Sequence, residues 1–578
     1  MSQTGGFTAT VALEQGALGP VPASNEDESL ELPGFAALYR PEGPAQVGRD
    51  ASGSVTAVVA GEVLESDAET LARDYAVRGE RALTRLDGSF ALLVVDRRAP
   101  ALVVATDVVK SRRVFVARLG DCAVIATSLQ AVPLSERPID RSAVICALAN
   151  GAVLNDRTLF EGVRSLGAGT VLVLDRDGAR ESRYWSPSFA ADAPLPEGEI
   201  DVRMGELLID AVRRRLPHNE TMSLSLSGGL DARGLLGVLA EKLGARDVDC
   251  FSYARPDPPG GSDARVAARL ASRYGYPHAI VPSYRGDVAR VIERNAALGR
   301  GIANVCEEVD AWDALDDGGG ERAVFVGDEC FGWPGVALRS ADDILRAVDI
   351  RAWRSISWLQ QFLPPSVAFE LGERLDAEVA SMLARAPRTG DRQDVEDFLY
   401  FEQRVVNVLM PWRELFSSLA GRVVFPWLDR RLLELVDRLP SRERRGRTLY
   451  HRVAAGLLRD LFAVPPATRS GYLVNWDAEL ARRRGELLER LRRPSRLDEV
   501  VPVDVAERLL ERRGTPAAAR AHAAKKAIDF AVSRPERLGR VAWSALAERS
   551  LRVDEATLLL RLLVQREFLA LDRQRAAA

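Results

Sequence analysis

Two short glycine-containing stretches hold the residues with the clearest chemical potential. The first lies between the apolar runs TMSLSLS and ARGLLGVLAEKLG and reads Ser227, Gly228, Gly229, Leu230, Asp231. Its glycines let backbone N–H groups turn toward a ligand, the following helix offers the positive end of its dipole, and the serine adds a hydroxyl donor. Such a turn suits phosphate or pyrophosphate, although an ordinary strand-to-helix turn has the same composition.

The second stretch supplies further acidic residues. VFVGDECFGW, residues 324–333, ends another predicted strand and contains Gly327, Asp328 and Glu329. Asp231 beside bound phosphates would suffer repulsion, which a Mg²⁺ ion between them relieves. Asp328, at the same sheet edge, can supply the other Mg²⁺ ligand.

The surrounding elements explain why these stretches should meet. Residues 1–190 contain short β-branched runs bounded by Gly, Asp or Pro, typical of a sandwich-like β domain. From residue 203 apolar strands alternate with helical patterns, which predicts a parallel α/β sheet whose carboxyl edge binds ligands. From about residue 340 nearly everything reads as helical, including residues 423–440. We predict domains at 1–195, 200–480 and 481–578.

Composition narrows the function classes. The formal net charge of −4 gives no general attraction to nucleic acid or to an anionic membrane. No apolar run approaches the length of a membrane span, and the N-terminal segment lacks the features of a signal peptide. The cysteines are widely spaced and odd in number, which argues against a disulfide framework or a zinc site. We therefore expect a cytoplasmic protein.

Three motifs in order resemble those of the asparagine synthetase superfamily. They are S-G-G-L-D-A (227–232), V-G-D-E-C-F-G-W (326–333) and R-V-V-F-P-W-L-D (422–429). The resemblance implies an N-terminal glutaminase-like (Ntn-type) sandwich followed by an α/β ATP-pyrophosphatase synthetase domain with a helical C-terminal part. It further implies ATP and Mg²⁺ as cofactors, Asp231 and Asp328 as metal ligands, and adenylation of a carboxylate. The ATP-binding residues would be Ser227, Gly228, Gly229, Leu230, Asp231 and Gly327.

The N-terminal domain departs from that family. The glutaminase needs a cysteine at position 2, and this chain has Ser2. Ala60 stands where the glutamine-binding asparagine belongs, and Thr106 replaces an arginine. Because serine is a far weaker nucleophile without an arranged base, we expect no glutamine hydrolysis. The amine must then come from outside or from the substrate itself.

The candidate catalytic residues are less well defined by sequence. Arg469 takes the place of the family lysine that stabilises the acyl transition state, and its alternative is a surface arginine. Phe325 stands where β-lactam synthetases use a tyrosine. Glu329 follows the metal aspartate and would orient it or the substrate amine, although a structural hydrogen bond fits the residue equally well. The base for the amine has three candidates on predicted helices: Tyr400, Glu402 and Glu414.

These observations favour one branch of the superfamily. The resemblance is closest to lasso-peptide macrolactam synthetases, which join the N-terminal amine of a processed core peptide to an Asp or Glu side chain. The implied partners are that core peptide, a lasso-type leader peptidase and a leader-recognition protein. A β-lactam synthetase-like cyclase, an ammonia-dependent asparagine synthetase and a nucleotide-binding pseudoenzyme remain alternatives.

Overall fold

The computed structural model describes residues 5–12, 28–32, 35–135, 137–189, 197–316, 322–329, 331–332, 338, 340–532, 546 and 549–577. Within them an antiparallel β part precedes an α/β part and a helical C-terminal part, which confirms the fold class predicted from the sequence. No helix among the described residues combines the length and the apolar character that crossing a membrane requires.

The N-terminal strands form two antiparallel sheets that face each other. Their bounds are β1 Gly6–Ala12, β2 Glu28–Leu32, β3 Phe35–Glu42, β4 Gln46–Arg49, β5 Val55–Val63, β6 Gly88–Asp96, β7 Ala101–Thr106, β8 Phe115–Leu119, β9 Cys122–Ala126, β10 Val163–Ser165, β11 Thr170–Asp175 and β12 Gly178–Arg183. One sheet has the order β10-β8-β9-β1-β3-β2 and the other β12-β11-β7-β6-β5-β4. Successive side chains of β6 alternate between faces, so Leu93 lies between the sheets and Leu92 lies on the outer face.

Five parallel strands form the sheet of the α/β part. They are β13 Thr221–Ser225, β14 Val248–Ala254, β15 His278–Pro282, β16 Arg322–Phe325 and β17 Arg422–Val424, in the order β15-β14-β13-β16-β17. The chain moves outward from β13 in one direction and then returns to its other side with β16. The crevice at the carboxyl ends of β13 and β16 is therefore the point of strand-order reversal, where such sheets bind ligands.

The α-helices surround this sheet and fill the C-terminal part. Their bounds are α1 Ala68–Arg78, α2 Arg141–Asn150, α3 Glu197–Arg213, α4 Leu230–Gly237, α5 Asp263–Ser272, α6 Val288–Gly299, α7 Val309–Leu315, α8 Ala341–Ala347, α9 Pro365–Ala384, α10 Arg392–Leu399, α11 Met410–Leu415, α12 Arg430–Asp437, α13 Ser441–Arg444, α14 Thr448–Leu457, α15 Arg459–Phe462, α16 Trp476–Arg482, α17 Arg484–Leu491, α18 Val503–Glu511, α19 Pro516–Val532 and α20 Glu555–Ala577. A π-helical stretch, Tyr400–Leu409, joins α10 to α11.

The prediction that residues 423–440 lie in a helical region was wrong at their start. Arg422–Val424 is the edge strand β17, which pairs in parallel with β16. The strand has three residues, too few for a period to show in the sequence, and its extended backbone follows Gly421 at φ 134°. The predicted domain limits at 195 and 480 stay predictions, and helix α2 packs against both α9 and α20, beyond those limits.

Candidate active site

The two acidic stretches meet at the reversal point of the parallel sheet. Residues 227–231 follow β13, and residues 326–329 follow β16, its hydrogen-bonded neighbour. The contact is close because a side chain on Gly327 would lie 2.7 Å from the backbone nitrogen of Ala232. Gly327, predicted to bind ATP, thus also lets the second loop pack on the first turn of α4.

The Ser-Gly-Gly turn is held from both sides of the crevice. The Ser227 hydroxyl accepts a hydrogen bond from the Gly229 N–H at 3.2 Å. Gly228 packs so tightly that a Cβ there would lie 2.6 Å from the Cβ of Ala467. Gly229 caps α4 without a side chain, and Leu230 is the first residue of that helix. The turn therefore presents a helix N-terminus at the sheet edge, as an anion-binding turn requires.

One guanidinium contacts two of the site's carboxylates. Arg447 Nη1 lies 2.8 Å from Asp231 Oδ2 and 3.2 Å from Glu329 Oε1. Burial raises the pKa of the Asp231 carboxyl, and the nearby guanidinium opposes that shift. Burial and the charge of Asp231 raise the pKa of Glu329. The second oxygen of Asp231, Oδ1, is buried and has no hydrogen-bond partner among the described residues.

A second arginine binds the third carboxylate through both of its oxygens. Arg413 Nε lies 2.7 Å from Asp328 Oδ2, and its Nη2 lies 2.9 Å from Oδ1. The Arg413 guanidinium also stacks over the Trp412 ring at 4.6 Å from the centroid. Burial alone would lower the pKa of Arg413, but the charge and hydrogen bonds of Asp328, together with the nearby Tyr253 and Glu308, raise that pKa. The arrangement is a buried bidentate ion pair.

These carboxylates do not form a ready two-carboxylate magnesium site. The free Oδ1 of Asp231 fits a cation, whereas both oxygens of Asp328 are bound by Arg413. Within the described ranges no group of three or more His, Cys, Asp or Glu side chains is placed to hold a metal. The assignment of Asp231 and Asp328 as Mg²⁺ ligands stays a prediction.

The segment that carries Arg469 borders the Ser-Gly-Gly turn. The Arg469 carbonyl accepts from the Asp263 N–H at 3.0 Å, and the Ala467 N–H donates to the Gly228 carbonyl at 3.4 Å. The Arg469 side chain itself is exposed. Its backbone is thus part of the crevice, and its catalytic role stays a prediction.

Two of the predicted base candidates lie away from the carboxylate group. Glu402 forms an ion pair with Arg183, and Glu414 forms one with Arg113 at 2.8 Å. Both arginines belong to the N-terminal sandwich, so the structure places these glutamates at the contact between the two parts. Of the predicted catalytic glutamates, only Glu329 is brought beside Asp231.

The third sequence motif has a structural function. Arg422 forms a double hydrogen bond from its Nε to Glu220, at 2.9 and 3.0 Å. Asp429 is fully buried and accepts from Arg215 Nη1 at 2.6 Å. Trp427 donates from its ring nitrogen to the Asp231 carbonyl at 3.1 Å. Of these contacts, the hydrogen bond from Trp427 holds the backbone at the end of the Ser-Gly-Gly turn, and the other two stabilise the motif itself.

The N-terminal residues singled out in the sequence are not gathered into a comparable group. Ser2 lies outside the described residues. Ala60 is fully buried in β5, and Thr106 donates its hydroxyl proton to the Gly167 carbonyl at 2.6 Å. These contacts are structural.

The sequence did not identify the two arginines that form ion pairs with the carboxylates of the site. Arg447 and Arg413 are distant in sequence from the carboxylates they bind. All but four of the 78 lysine and arginine residues are arginine, so the residue type alone did not distinguish these two arginines from the others.

Two family models match the sequence. The glutamine amidotransferase domain matches residues 63–185, within the sandwich, and the asparagine synthase family matches residues 203–301, which include the Ser-Gly-Gly turn. The first match lies in the antiparallel sandwich, and the second lies in the part that contains the parallel sheet.

Curated relatives match over a limited length. Asparagine synthetase [glutamine-hydrolyzing] 3 of Bacillus subtilis (strain 168) is 25% identical over 194 residues, 32% of this chain and 31% of that protein. Amidase chyE of Penicillium rubens is 24% identical over 228 residues, 36% of this chain and 34% of that protein. The matched part of this chain thus spans about a third of the length of these relatives.

A solved structure also aligns with much of the chain. The glutamine phosphoribosylpyrophosphate amidotransferase of B. subtilis, in complex with ADP and GMP, covers 57% of this chain and 77% of its own length. The sequence identity is 13% and the TM-score is 0.19.

Proposed function

From the premise that this chain is an asparagine synthetase homologue, with both domains of that superfamily, we propose that it is an ATP-dependent amide-forming ligase. The observation that carries the proposal is the Ser-Gly-Gly turn at the reversal point of the sheet, with Asp231 and Glu329 beside it. A substrate carboxylate would be adenylated there and then transferred to an amine.

The chain's own residues suggest how the reaction proceeds. The turn 227–229 and the N-terminus of α4 bind phosphate oxygens through backbone N–H groups. A carboxylate oxygen of the substrate attacks the α-phosphorus and pyrophosphate leaves. The amine then attacks the acyl carbon and AMP leaves with the bridging oxygen. The amine must lose a proton, and Glu329, whose raised pKa makes its carboxylate a stronger base, is the candidate to accept it.

A peptide is the substrate class that we favour. With serine at position 2 in place of cysteine we expect no internal ammonia, so the amine comes from outside or from the substrate itself, and a peptide carries its own amine. The N-terminal amine of a peptide has a pKa of ~8, so it loses its proton near neutral pH without a strong base. We therefore propose lasso-type macrolactam closure of a leader-free core peptide, with a leader peptidase and a leader-recognition protein as partners.

A nucleotide-binding pseudoenzyme is the second candidate function. It is favoured by the pairing of Asp231 with Arg447 and of Asp328 with Arg413, which leaves only one carboxylate oxygen of the two aspartates open to a cation. Such a protein would bind ATP without releasing pyrophosphate.

Mass spectrometry of nucleotide and acyl products tests these candidates together. With ATP and Mg²⁺ we would offer leader-free peptides with Asp or Glu at positions seven to nine, small β-amino acids, and aspartate with ammonium. AMP with a peptide lighter by one water supports the cyclase. AMP only with a small amino acid moves the assignment to the other ligases, and ATP binding without AMP from any substrate favours the pseudoenzyme.

Two variants give the assay its internal controls. Asp231→Ala removes the carboxylate beside the turn and should abolish AMP formation. Ser2→Ala should leave it unchanged, because the N-terminal domain is proposed to lack hydrolytic activity. Retained turnover in the first variant, or a large loss in the second, would contradict the assignment.

A further inference from the structure

The segment 400–415, here called the bridging helix, contacts the N-terminal sandwich on one side. It comprises the π-helical stretch Tyr400–Leu409 and the helix Met410–Leu415. Lys110 Nζ donates to Asn407 Oδ1 at 2.9 Å, and Arg113 Nη1 lies 2.8 Å from Glu414 Oε2. Arg183 pairs with Glu402 near the start of the segment. Basic side chains of the sandwich therefore contact this helix along its length.

Two of these three contacts, those of Lys110 and Arg113, are buried, and a buried polar contact is costly to lose. Lys110 is fully buried and Arg113 is 3% exposed. Arg113 makes two further hydrogen bonds, from its backbone N–H to Glu414 Oε1 at 3.1 Å and from Nη2 to the Val406 carbonyl at 3.2 Å. A buried charge that loses its partner is strongly destabilising, so the pairs fix where the bridging helix lies.

The same helix reaches the candidate active site through one residue. Arg413 immediately precedes Glu414 and binds both oxygens of Asp328, at 2.7 and 2.9 Å. Its guanidinium is further held by the Trp412 ring and by the Ser417 hydroxyl, which accepts from Nη1 at 3.2 Å. The loop that holds Asp328 is therefore connected to the sandwich through adjacent residues of one helix.

We propose that the glutaminase-like domain positions the 326–329 loop of the synthetase site through the bridging helix. Arg113 and Glu414 are positioning residues that fix Arg413, and Arg413 fixes Asp328 next to Asp231. The N-terminal domain thereby has a function that does not need its missing cysteine. The significance for catalysis rests on the proposed ligase function, whereas the positioning itself does not.

Hydrogen–deuterium exchange of the full-length protein tests the positioning without any substrate. Glu414→Gln removes the charge that Arg113 binds and should increase deuterium uptake at least twofold in peptides covering 322–332. Glu378→Gln is the matched control, because Glu378 also pairs with a sandwich arginine, Arg157, at 2.8 Å but lies on α9. The control should leave uptake in 322–332 unchanged.

A second variant identifies Arg413 as the link. Arg413→Gln should raise uptake in 322–332 as much as Glu414→Gln does, and the double variant should add little, because both break one connection. Unchanged uptake in 322–332 for Glu414→Gln, or an equal increase in Glu378→Gln, would overturn the proposal. Should Glu414→Gln not fold, Arg113→Lys replaces it, which keeps the charge near Glu414 but loses the Val406 contact.

Kinetics provide a readout that loss of general stability would not produce. If the protein forms AMP, Glu414→Gln should lower kcat about tenfold while the KM for ATP changes less than twofold, because the Ser-Gly-Gly turn lies on other elements. A wild-type protein without AMP formation would contradict the proposed function alone, since the exchange experiment still decides the positioning.

Discussion

Arg447 links Asp231 and Glu329, two carboxylates that would otherwise repel each other beside the Ser-Gly-Gly turn. Its own backbone has φ 57°, in the left-handed region, at the residue that precedes α14. Non-glycine residues adopt this conformation rarely, and such positions occur preferentially where function requires them. The geometry therefore marks Arg447 as part of the site although sequence spacing did not.

Gly327 offers a direct test of how closely the two loops approach. Gly327→Ala would place a Cβ 2.7 Å from the Ala232 nitrogen and 2.9 Å from its Cα, both backbone atoms. The first turn of α4, and with it the Ser-Gly-Gly turn, must then shift, so we expect ATP affinity and AMP formation to fall at least tenfold. Titration calorimetry with ATP measures the first effect.

Gly456→Ala is the control for this substitution. Gly456 lies in α14, and a Cβ there would meet no atom within 4 Å. Alanine in a helix is favoured over glycine, so this variant should keep ATP binding and be stabilised by about 0.5–1 kcal/mol. Equal ATP affinity in both variants would show that the close approach at Gly327 is unimportant.

Asp429 predicts a specific acid dependence of stability. Burial opposes its ionisation, but Arg215 and Arg431 outweigh burial and lower the pKa of Asp429 to about 2. An Asp in the unfolded chain has a pKa of ~3.9. The stabilising contribution of Asp429 is therefore complete above that pH, and it is lost as the pH falls toward the pKa of Asp429 in the folded protein. Asp429→Asn should lower the free energy of unfolding by about 3 kcal/mol at pH 7.

Denaturant unfolding from pH 2 to pH 7 measures this effect. The difference between wild type and Asp429→Asn should shrink between pH 4 and pH 2, where the wild-type carboxylate takes up its proton. A difference that stays constant over that range would mean that the charge of Asp429 contributes nothing to stability.

The ends of helices depend on side chains from other elements. The last carbonyls of α2, those of Leu148 and Ala149, accept from Arg561 Nη1 on α20 at 3.0 and 2.8 Å. Arg561 is 9% exposed, so water cannot easily replace it. A cation at a helix C-terminus is also favoured by the helix dipole.

Arg561→Met should therefore destabilise the protein without changing its fold. Two buried carbonyls would lose their donor, and we expect a loss of about 2 kcal/mol in the free energy of unfolding. Urea denaturation followed by circular dichroism measures it. Arg492→Met on the exposed end of α17 is the control and should change stability by less than about 0.5 kcal/mol.

How well sequence predicted each element depended on its length and burial. Strands β13, β14 and β16 were predicted because each is a short apolar run next to a helical pattern. Strand β17 was missed because three residues carry no period. The pairs Arg447–Asp231 and Arg413–Asp328 were missed because they join residues that only the folded chain brings together, in a sequence rich in arginine.

One large apolar cluster of the chain includes residues from all three of the domains predicted from the sequence. Residues from α2, α6, α9 and α20 belong to the same buried cluster. Polar contacts join the same regions, such as Lys110 with Asn407. The sandwich and the α/β part are therefore connected by packing as well as by the continuity of the chain.

We accordingly expect a single cooperative unfolding transition. Differential scanning calorimetry of the full chain should show one peak, with equal midpoints by near-ultraviolet and far-ultraviolet circular dichroism, because unfolding one part exposes the core of the other. Two resolved transitions would show that the shared core is too weak to couple the parts.

The packing of α20 on α2 also sets an order of events during synthesis. Helix α2 ends at Asn150, and its partner α20 begins about 400 residues later, at Glu555. At ribosomal rates of ~5–20 residues per second, α20 is translated roughly 20–80 s after α2, and the apolar face of α2 lacks this partner during that time. Until then α9, which is translated before α20, or a chaperone is expected to cover this face, and α20 completes a surface that was translated about 400 residues earlier.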